Sequence, residues 1–246
     1  MLLTDLGSRQ YLAELDECSV SGLYDDALAA LARLQMGGDP GSALLPPYDS
    51  ALLLREMELF RDWFLGQLLG LDLSEDEHHT LDQAFALLAD NALEQPRVWV
   101  HRDYHSRNLM ITDPDNPGIL DFQDAVVGAV TYDLASLLRD CYVAWPRAQV
   151  ETWALDHRAR LRALGMSGLD DAGQFLRWFD LMGAQRHLKA IGIFARLNLR
   201  DGKPGYLRDI PRTLGYVLEA AGRYSELARL HSLLRARGVD RWQPTP

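Results

Sequence analysis

Cysteine is scarce in this chain of 246 residues, with Cys18 and Cys141 standing far apart. That excludes a disulfide framework and a cysteine-based zinc cluster, and it fits a reducing compartment. Lysine is as scarce: Lys189 and Lys203 are the two in the sequence. Long hydrophobic runs are missing. The most apolar window, residues 51–71, carries Arg55, Glu56, Glu58, Arg61 and Asp62, so it reads as an amphipathic helix and not as a membrane span of about 18 or more apolar residues. No cationic segment precedes an apolar stretch near Met1, so a secretory signal is not expected. Positive charge is in deficit, with 25 Lys and Arg against 35 Asp and Glu and a net charge of -10. Such a surface disfavours binding to nucleic acid through its phosphates. The expectation is a cytoplasmic protein with neither a nucleic acid nor a membrane as partner.

Apolar residues at 48% and charged residues at 24% are ordinary for a globular chain with a packed core. The first half reads as three helices. Ser21 is placed to cap one that carries Leu23, Ala27, Ala30, Leu31 and Leu34, stopped by the Gly-rich turn at 37–41. Ser50 opens the next, with Leu53, Met57, Phe60, Phe64 and Leu68 in register. Ser74 and Glu77 have capping-box spacing ahead of Leu81, Phe85, Leu88 and Ala92, and Pro96 bounds that helix. Residues 97–122 differ: three short apolar runs surround a polar loop and an Asp-Pro-Asp-Asn-Pro-Gly turn at 113–118. They predict two short strands in a hairpin. Helical periodicity returns from Tyr132, most clearly over 171–198 and 211–222. The fold class expected is mainly α, in the α+β sense, with one small β insert. Cys141 and the tryptophans at 63, 99, 153 and 178 read as core, and His78 and His79 as surface.

The polar loop runs His101-Arg102-Asp103-Tyr104-His105-Ser106-Arg107-Asn108, and Asp121-Phe122-Gln123-Asp124 follows the hairpin. Phosphoryl transfer from a magnesium nucleotide needs one carboxylate to accept the proton of the acceptor hydroxyl. It also needs hard oxygen ligands, such as an amide and a second carboxylate, to hold Mg²⁺ against the phosphates. Asp103, Asn108 and Asp121 have the types and spacing for those roles. A second reading takes the alternating His101, Asp103 and His105, with Asp121, as zinc or manganese ligands of a hydrolase. It leaves Asn108 and residues 128–133 without a purpose.

Residues 101–108 and 121–123 resemble the catalytic and metal-binding loops of the protein-kinase-like fold, in the branch of aminoglycoside phosphotransferases and choline kinases. Residues 121–140 are similar, more particularly, to the bacterial anomeric kinases of N-acetylmuramate and N-acetylglucosamine, as are the stretches 5–12 and 185–197. The resemblance implies the helical C-terminal lobe of that fold, with ATP and Mg²⁺ as cofactors and an amino sugar as small-molecule substrate in cytoplasmic recycling of cell-wall sugars. It makes Asp103 the catalytic base, braced by His101, and Asn108 and Asp121 the metal ligands. It makes Asp133 the support of the loop backbone. Met1 to Leu6 resembles the hinge strand, where the backbone at Leu3 and Asp5 would meet adenine, so residues 1–12 are taken as a hinge-like strand and residues 13–246 as the catalytic lobe.

The family's Gly-rich loop and strand lysine have no counterpart ahead of residue 100. Three explanations compete: a small N-terminal lobe supplied by a longer reading frame, the same lobe on a separate polypeptide, or a non-catalytic remnant. Feeble activity is expected without the lobe, since losing one such electrostatic contact costs on the order of 10²–10³ in rate. For the acceptor, Asp124, His105 and the adjacent Tyr104 lie near the base in sequence. Arg186 and Lys189 share a helix face and would suit an acceptor carboxylate, although such pairs are usually solvated. The alternatives are an aminoglycoside or choline kinase, for which the acidic surface would suit a cationic acceptor, and a non-catalytic fragment or binding module.

Overall fold

A computed structural model describes residues 5–244. A short helix α1 (Tyr11–Glu14) precedes α2 (Val20–Gly37) and α3 (Ser50–Leu59). A π-helical segment (Phe60–Leu68) continues α3, and α4 (Glu75–Leu93) follows. Then come four strands, β1 (Arg97–Val100), β2 (Leu109–Met110), β3 (Gly118–Ile119) and β4 (Val126–Ala129). The remaining helices are α5 (Tyr132–Leu138), α6 (Arg147–Ala163), α7 (Ala172–Leu199), α8 (Ile210–Arg223) and α9 (Ala228–Ala236). The mainly helical class with a small β insert is what the sequence pattern implies.

The chain divides into two compact units, one of residues 1–47 and 95–179, the other of 48–94 and 180–246. In the first, Tyr24, Ala27, Leu28 and Leu31 are buried along one stripe of α2, which packs on β1, α5 and α6. Each of the two leucines contributes about 1.5–3 kcal/mol relative to exposure. β1 pairs antiparallel with β4 from Arg97↔Ala129 to Val100↔Val126. The sequence reading stops its β island at residue 122 and misses β4, because all four of its residues are buried and the run shows no alternation. Close packing also explains Gly38, since a Cβ there would lie 2.2 Å from the ring of Trp99.

The second unit gathers α3, α4, α8, α9 and the later part of α7 around Phe60, Phe64, Phe85 and Leu214. The Ser74–Glu77 capping box forms as its spacing predicts and Ser50 opens α3 as expected, whereas the cap expected at Ser21 is corrected. α3 is capped by Asp49, whose side chain accepts from Leu52 N–H at 2.9 Å, and Ser50 is its first helical residue. α2 begins after Ser19, two residues before Ser21, and the Ser19 hydroxyl is engaged with Glu14 and Asp16 instead. The single helix expected over 51–71 is likewise corrected, because it widens into the π-helical segment at Phe60. There a Cβ on Gly192 of α7 would stand 2.3–2.5 Å from the backbone of Leu59 and Phe60. That backbone approach is a tertiary contact to which a hydrophobic period is blind.

Candidate active site

The loop 101–108 connects β1 to β2, and it is folded by its own backbone. His105 N–H donates to the Asp103 carbonyl at 3.0 Å and Asn108 N–H to the His105 carbonyl at 2.9 Å. The Asn108 side-chain amide nitrogen donates to the Asp103 carbonyl at 3.1 Å. With its N–H₂ so used, Asn108 keeps its amide oxygen as an acceptor. β2 and β3 then pair in register Leu109↔Ile119 and Met110↔Gly118, and Leu120 N–H donates to the Asn108 carbonyl at 2.9 Å. This hairpin returns Asp121 beside Asn108, as the spacing implied.

Asp121 is exposed, has φ 68° and has Gln123 hydrogen-bonded to its carboxylate. Arg102 also sits in the left-handed region, at φ 76°. Two non-glycine residues in that region cost on the order of 1–3 kcal/mol each and persist only when their surroundings impose them. For Arg102 the cause is visible. Asp133, fully buried at the start of α5, accepts from His101 N–H at 2.6 Å and from Arg102 N–H at 3.0 Å. The Arg102 guanidinium reaches on to the Asp124 carbonyl at 3.3 Å and so joins the loop to the segment after the hairpin.

His101 is 3% exposed. Burial pushes its pKa below the usual value, against the pull of the Asp103 and Asp121 carboxylates and the Leu120 carbonyl. It is a neutral ring packed edge-on to Tyr104 with centroids 6.0 Å apart. The alternation of His101, Asp103 and His105 does not build the hydrolase-type metal site. Among the described residues, no three His, Cys, Asp or Glu side chains come together to hold a metal. Tyr104 is a further correction. It is fully buried and donates its hydroxyl to the Ala27 carbonyl at 2.8 Å, so it belongs to the core and not to an acceptor pocket.

Asp103 and His105 are half-buried and Asp124 is exposed. Asp5 caps its own turn by accepting from Gly7 N–H at 2.8 Å, and Leu3 lies outside the described residues. Residues 9–12 run alongside β2. Gln10 bridges Met110, Ile111 N–H donates to the Arg9 carbonyl at 2.8 Å, and Leu12 N–H donates to the Ser106 carbonyl at 3.1 Å. Arg186 and Lys189 belong to the second unit and are buried, not solvated. Lys189 pairs with Glu56 at 3.1 Å, and Glu56 also accepts from the Tyr48 hydroxyl. That cation is neutralised by a buried carboxylate, so the expectation that it awaits an acceptor carboxylate loses its physical basis.

One carboxylate to which the sequence reading gave no role also holds the loop. Asp140, 1% exposed, accepts from Ser106 N–H at 2.9 Å, from the Ser106 hydroxyl at 2.6 Å and from Tyr142 N–H at 2.9 Å. The available signal was an acidic residue closing an apolar helical run, where a charge is retained only if it is satisfied.

The residues fit a magnesium nucleotide. An amide oxygen and an exposed carboxylate, both hard donors, are brought to one edge of a hairpin, and a carboxylate stands five residues before the amide. A model of the phosphotransferase enzyme family matches residues 1–171, well over half of the sequence. The chain belongs to the phosphotransferase enzyme family. This phosphotransferase is 49% identical over 234 residues to a Pseudomonas putida protein named N-acetylmuramate/N-acetylglucosamine kinase, covering 95% of the chain and 68% of that relative. Its fold is that of a Plasmodium vivax ethanolamine kinase, at TM-score 0.57 and 13% identity over 87% of this chain and 62% of that one. It is also that of the aminoglycoside phosphotransferase in the gentamicin-APH(2")-IIa complex, at TM-score 0.54 and 15% identity over 86% and 68%. The kinase-like fold expected from residues 101–123 is therefore the fold found.

Proposed function

We propose that this phosphotransferase moves the terminal phosphoryl group of ATP, as its Mg²⁺ complex, to the anomeric hydroxyl of N-acetylmuramate or N-acetylglucosamine. The observation that carries the reading is the hairpin that brings Asp121 beside Asn108, five residues after Asp103. The 49% identity to a kinase named for those two sugars supports the choice of acceptor. Asp103 accepts the proton of the attacking hydroxyl, with neutral His101 packed behind the loop and Asp133 fixing its backbone. Asn108 and Asp121 are the oxygen donors that would hold Mg²⁺, which supplies charge neutralisation of the phosphates. Asp124 and His105 are the groups proposed for the sugar hydroxyls.

Residues 13–246 then act as the catalytic lobe, and residues 1–12 as the strand along which adenine is met, with the backbone at Asp5 among the contacts. No described helix is long and apolar enough to cross a membrane, and a cytoplasmic role in cell-wall sugar recycling is part of the proposal. The test is a panel of ³¹P-detected transfers from MgATP to the two sugars, kanamycin and choline. A sugar 1-phosphate is the expected product. Transfer to kanamycin or choline without transfer to either sugar overturns the reading.

A further inference from the structure

Asp133 holds the loop at residues 101 and 102, but the stretch that carries Asp103 to Asn108 is anchored elsewhere. One carboxylate oxygen of Asp140 takes both the N–H and the hydroxyl of Ser106, at 2.9 and 2.6 Å, and the other takes Tyr142 N–H at 2.9 Å. A buried carboxylate with three donors is satisfied and stiff, since charge-assisted bonds of this kind are about twice as strong as neutral ones. Seating the Tyr142 backbone also places its ring. His105 packs edge-on against that ring with centroids 5.5 Å apart at 82°, and the Arg107 guanidinium lies 4.7 Å over its centroid. Three consecutive loop residues, His105, Ser106 and Arg107, therefore rest on one short segment, 140–142. From the opposite side Leu12 N–H and the Gln10 amide hold the Ser106 and Arg107 carbonyls at 3.1 Å each.

We propose that Asp140, together with the Tyr142 ring it seats, is the positioning element of the catalytic loop, fixing residues 105–107 and thereby the stance of Asp103 and Asn108 toward the transferred phosphoryl group. Asp140, at 1% exposure, is closed off from any reactant. Both it and Tyr142 act through the loop, and the inference rests on the phosphotransfer role of Asp103 and Asn108 given above. The consequence is kinetic. A loop that is mispositioned by a fraction of an ångström loses rate, and an ångström of misplacement costs on the order of 10²-fold. The fold around it, and the affinity for nucleotide held by Asp121, change far less.

Four variants of the full chain test this: Ser106→Ala, which leaves Asp140 in place, Tyr142→Ala, Tyr142→Phe and Asp140→Asn. The expected result is a fall in kcat on the order of tenfold or more for Ser106→Ala and Tyr142→Ala, KM for MgATP within about threefold of the parent, and near-parental turnover for Tyr142→Phe, which keeps the ring. Hydrogen exchange followed by mass spectrometry on the same proteins should show faster exchange over residues 104–108, with the helices of the second unit unchanged. The proposal is overturned if loop exchange in Ser106→Ala and Tyr142→Ala equals that of the parent. It is equally overturned if kcat per folded molecule is unchanged while the melting temperature falls, because Asp140 would then be purely structural. Failure of the functional reading looks different: with a small lobe supplied to the chain neither sugar would be phosphorylated, and exchange alone would then decide whether Asp140 positions the loop.

Discussion

Replacing Asp133 by alanine should be among the most damaging single changes to the first unit, and its size can be worked from the geometry. The side chain is fully buried, and it accepts two backbone N–H groups, those of His101 and Arg102. Alanine leaves both donors buried without their acceptor, and each such orphan costs about 1–3 kcal/mol. Arg102 also loses the bond that accompanies its φ of 76°, so part of the penalty would be relieved by relaxation of that residue. A net loss of about 4 kcal/mol is expected, a large share of the 5–15 kcal/mol typical of whole domains. In thermal unfolding that corresponds to roughly 10 °C. Asp133→Asn keeps one acceptor oxygen but turns an N–H₂ toward the other donor, so it should cost about half as much or somewhat more. Urea titrations at fixed pH, with hydrogen exchange at residues 101–103, read both effects. A loss below about 1 kcal/mol for Asp133→Ala, with unchanged exchange at those amides, refutes the view that this carboxylate imposes the loop conformation.

Asp103→Asn and Asp121→Asn should differ in kind. The first should lower kcat by about 10²–10⁴-fold with Mg²⁺-nucleotide affinity nearly intact. The second should weaken Mg²⁺-dependent nucleotide binding by roughly 10–100-fold in calorimetry, and equal loss of metal-dependent binding in both would show that Asp103 is a ligand and not the base. Gly192→Ala puts a methyl 2.3–2.5 Å from the Leu59 and Phe60 backbone; a destabilisation of about 1–3 kcal/mol or more is expected in denaturant unfolding, and a stabilised variant would mean that α7 does not approach so closely. His157 is held at about 3, below its usual value, chiefly by burial and secondarily by the Arg160 charge. The unfolded chain therefore takes up a proton that the folded one refuses. Stability should fall as pH drops from about 6.5 towards 3, by up to about 1.4 kcal/mol per pH unit from this group, and His157→Gln should flatten that limb; an unaltered acid profile would show that His157 is not the group responsible.

Much of this molecule can be read from its one-dimensional pattern, because the signals concerned are local. The Ser74–Glu77 box caps α4 because both bonds close within three residues. Gly37 and Gly38 stop α2, and the Asp-Pro-Asp-Asn-Pro-Gly turn at 113–118 forces the chain back on itself, so Asn108 and Asp121 meet through a hairpin whose length the sequence states. The juxtaposition of Asn108 and Asp121, on which the roles proposed for them and for Asp103 rest, was thus legible in the spacing. What the tertiary structure alone decided is where burial falls. β4 carries no alternation because both of its faces are covered, and Tyr104 looks like a site residue until its hydroxyl is found on the Ala27 carbonyl inside the core. The helix over 51–71 widens at Phe60, where the α7 backbone comes within contact distance. Lys189, read as a candidate for an anion, is consumed by Glu56 across 133 positions of sequence. Asp140 reaches Ser106 over 34 residues. Each of these depends on which distant group a buried polar atom finds, and a buried charge or donor must find one. The local pattern by itself determined most of the helices and the hairpin that carries the proposed reacting groups; the packing chose the partners that hold them in place.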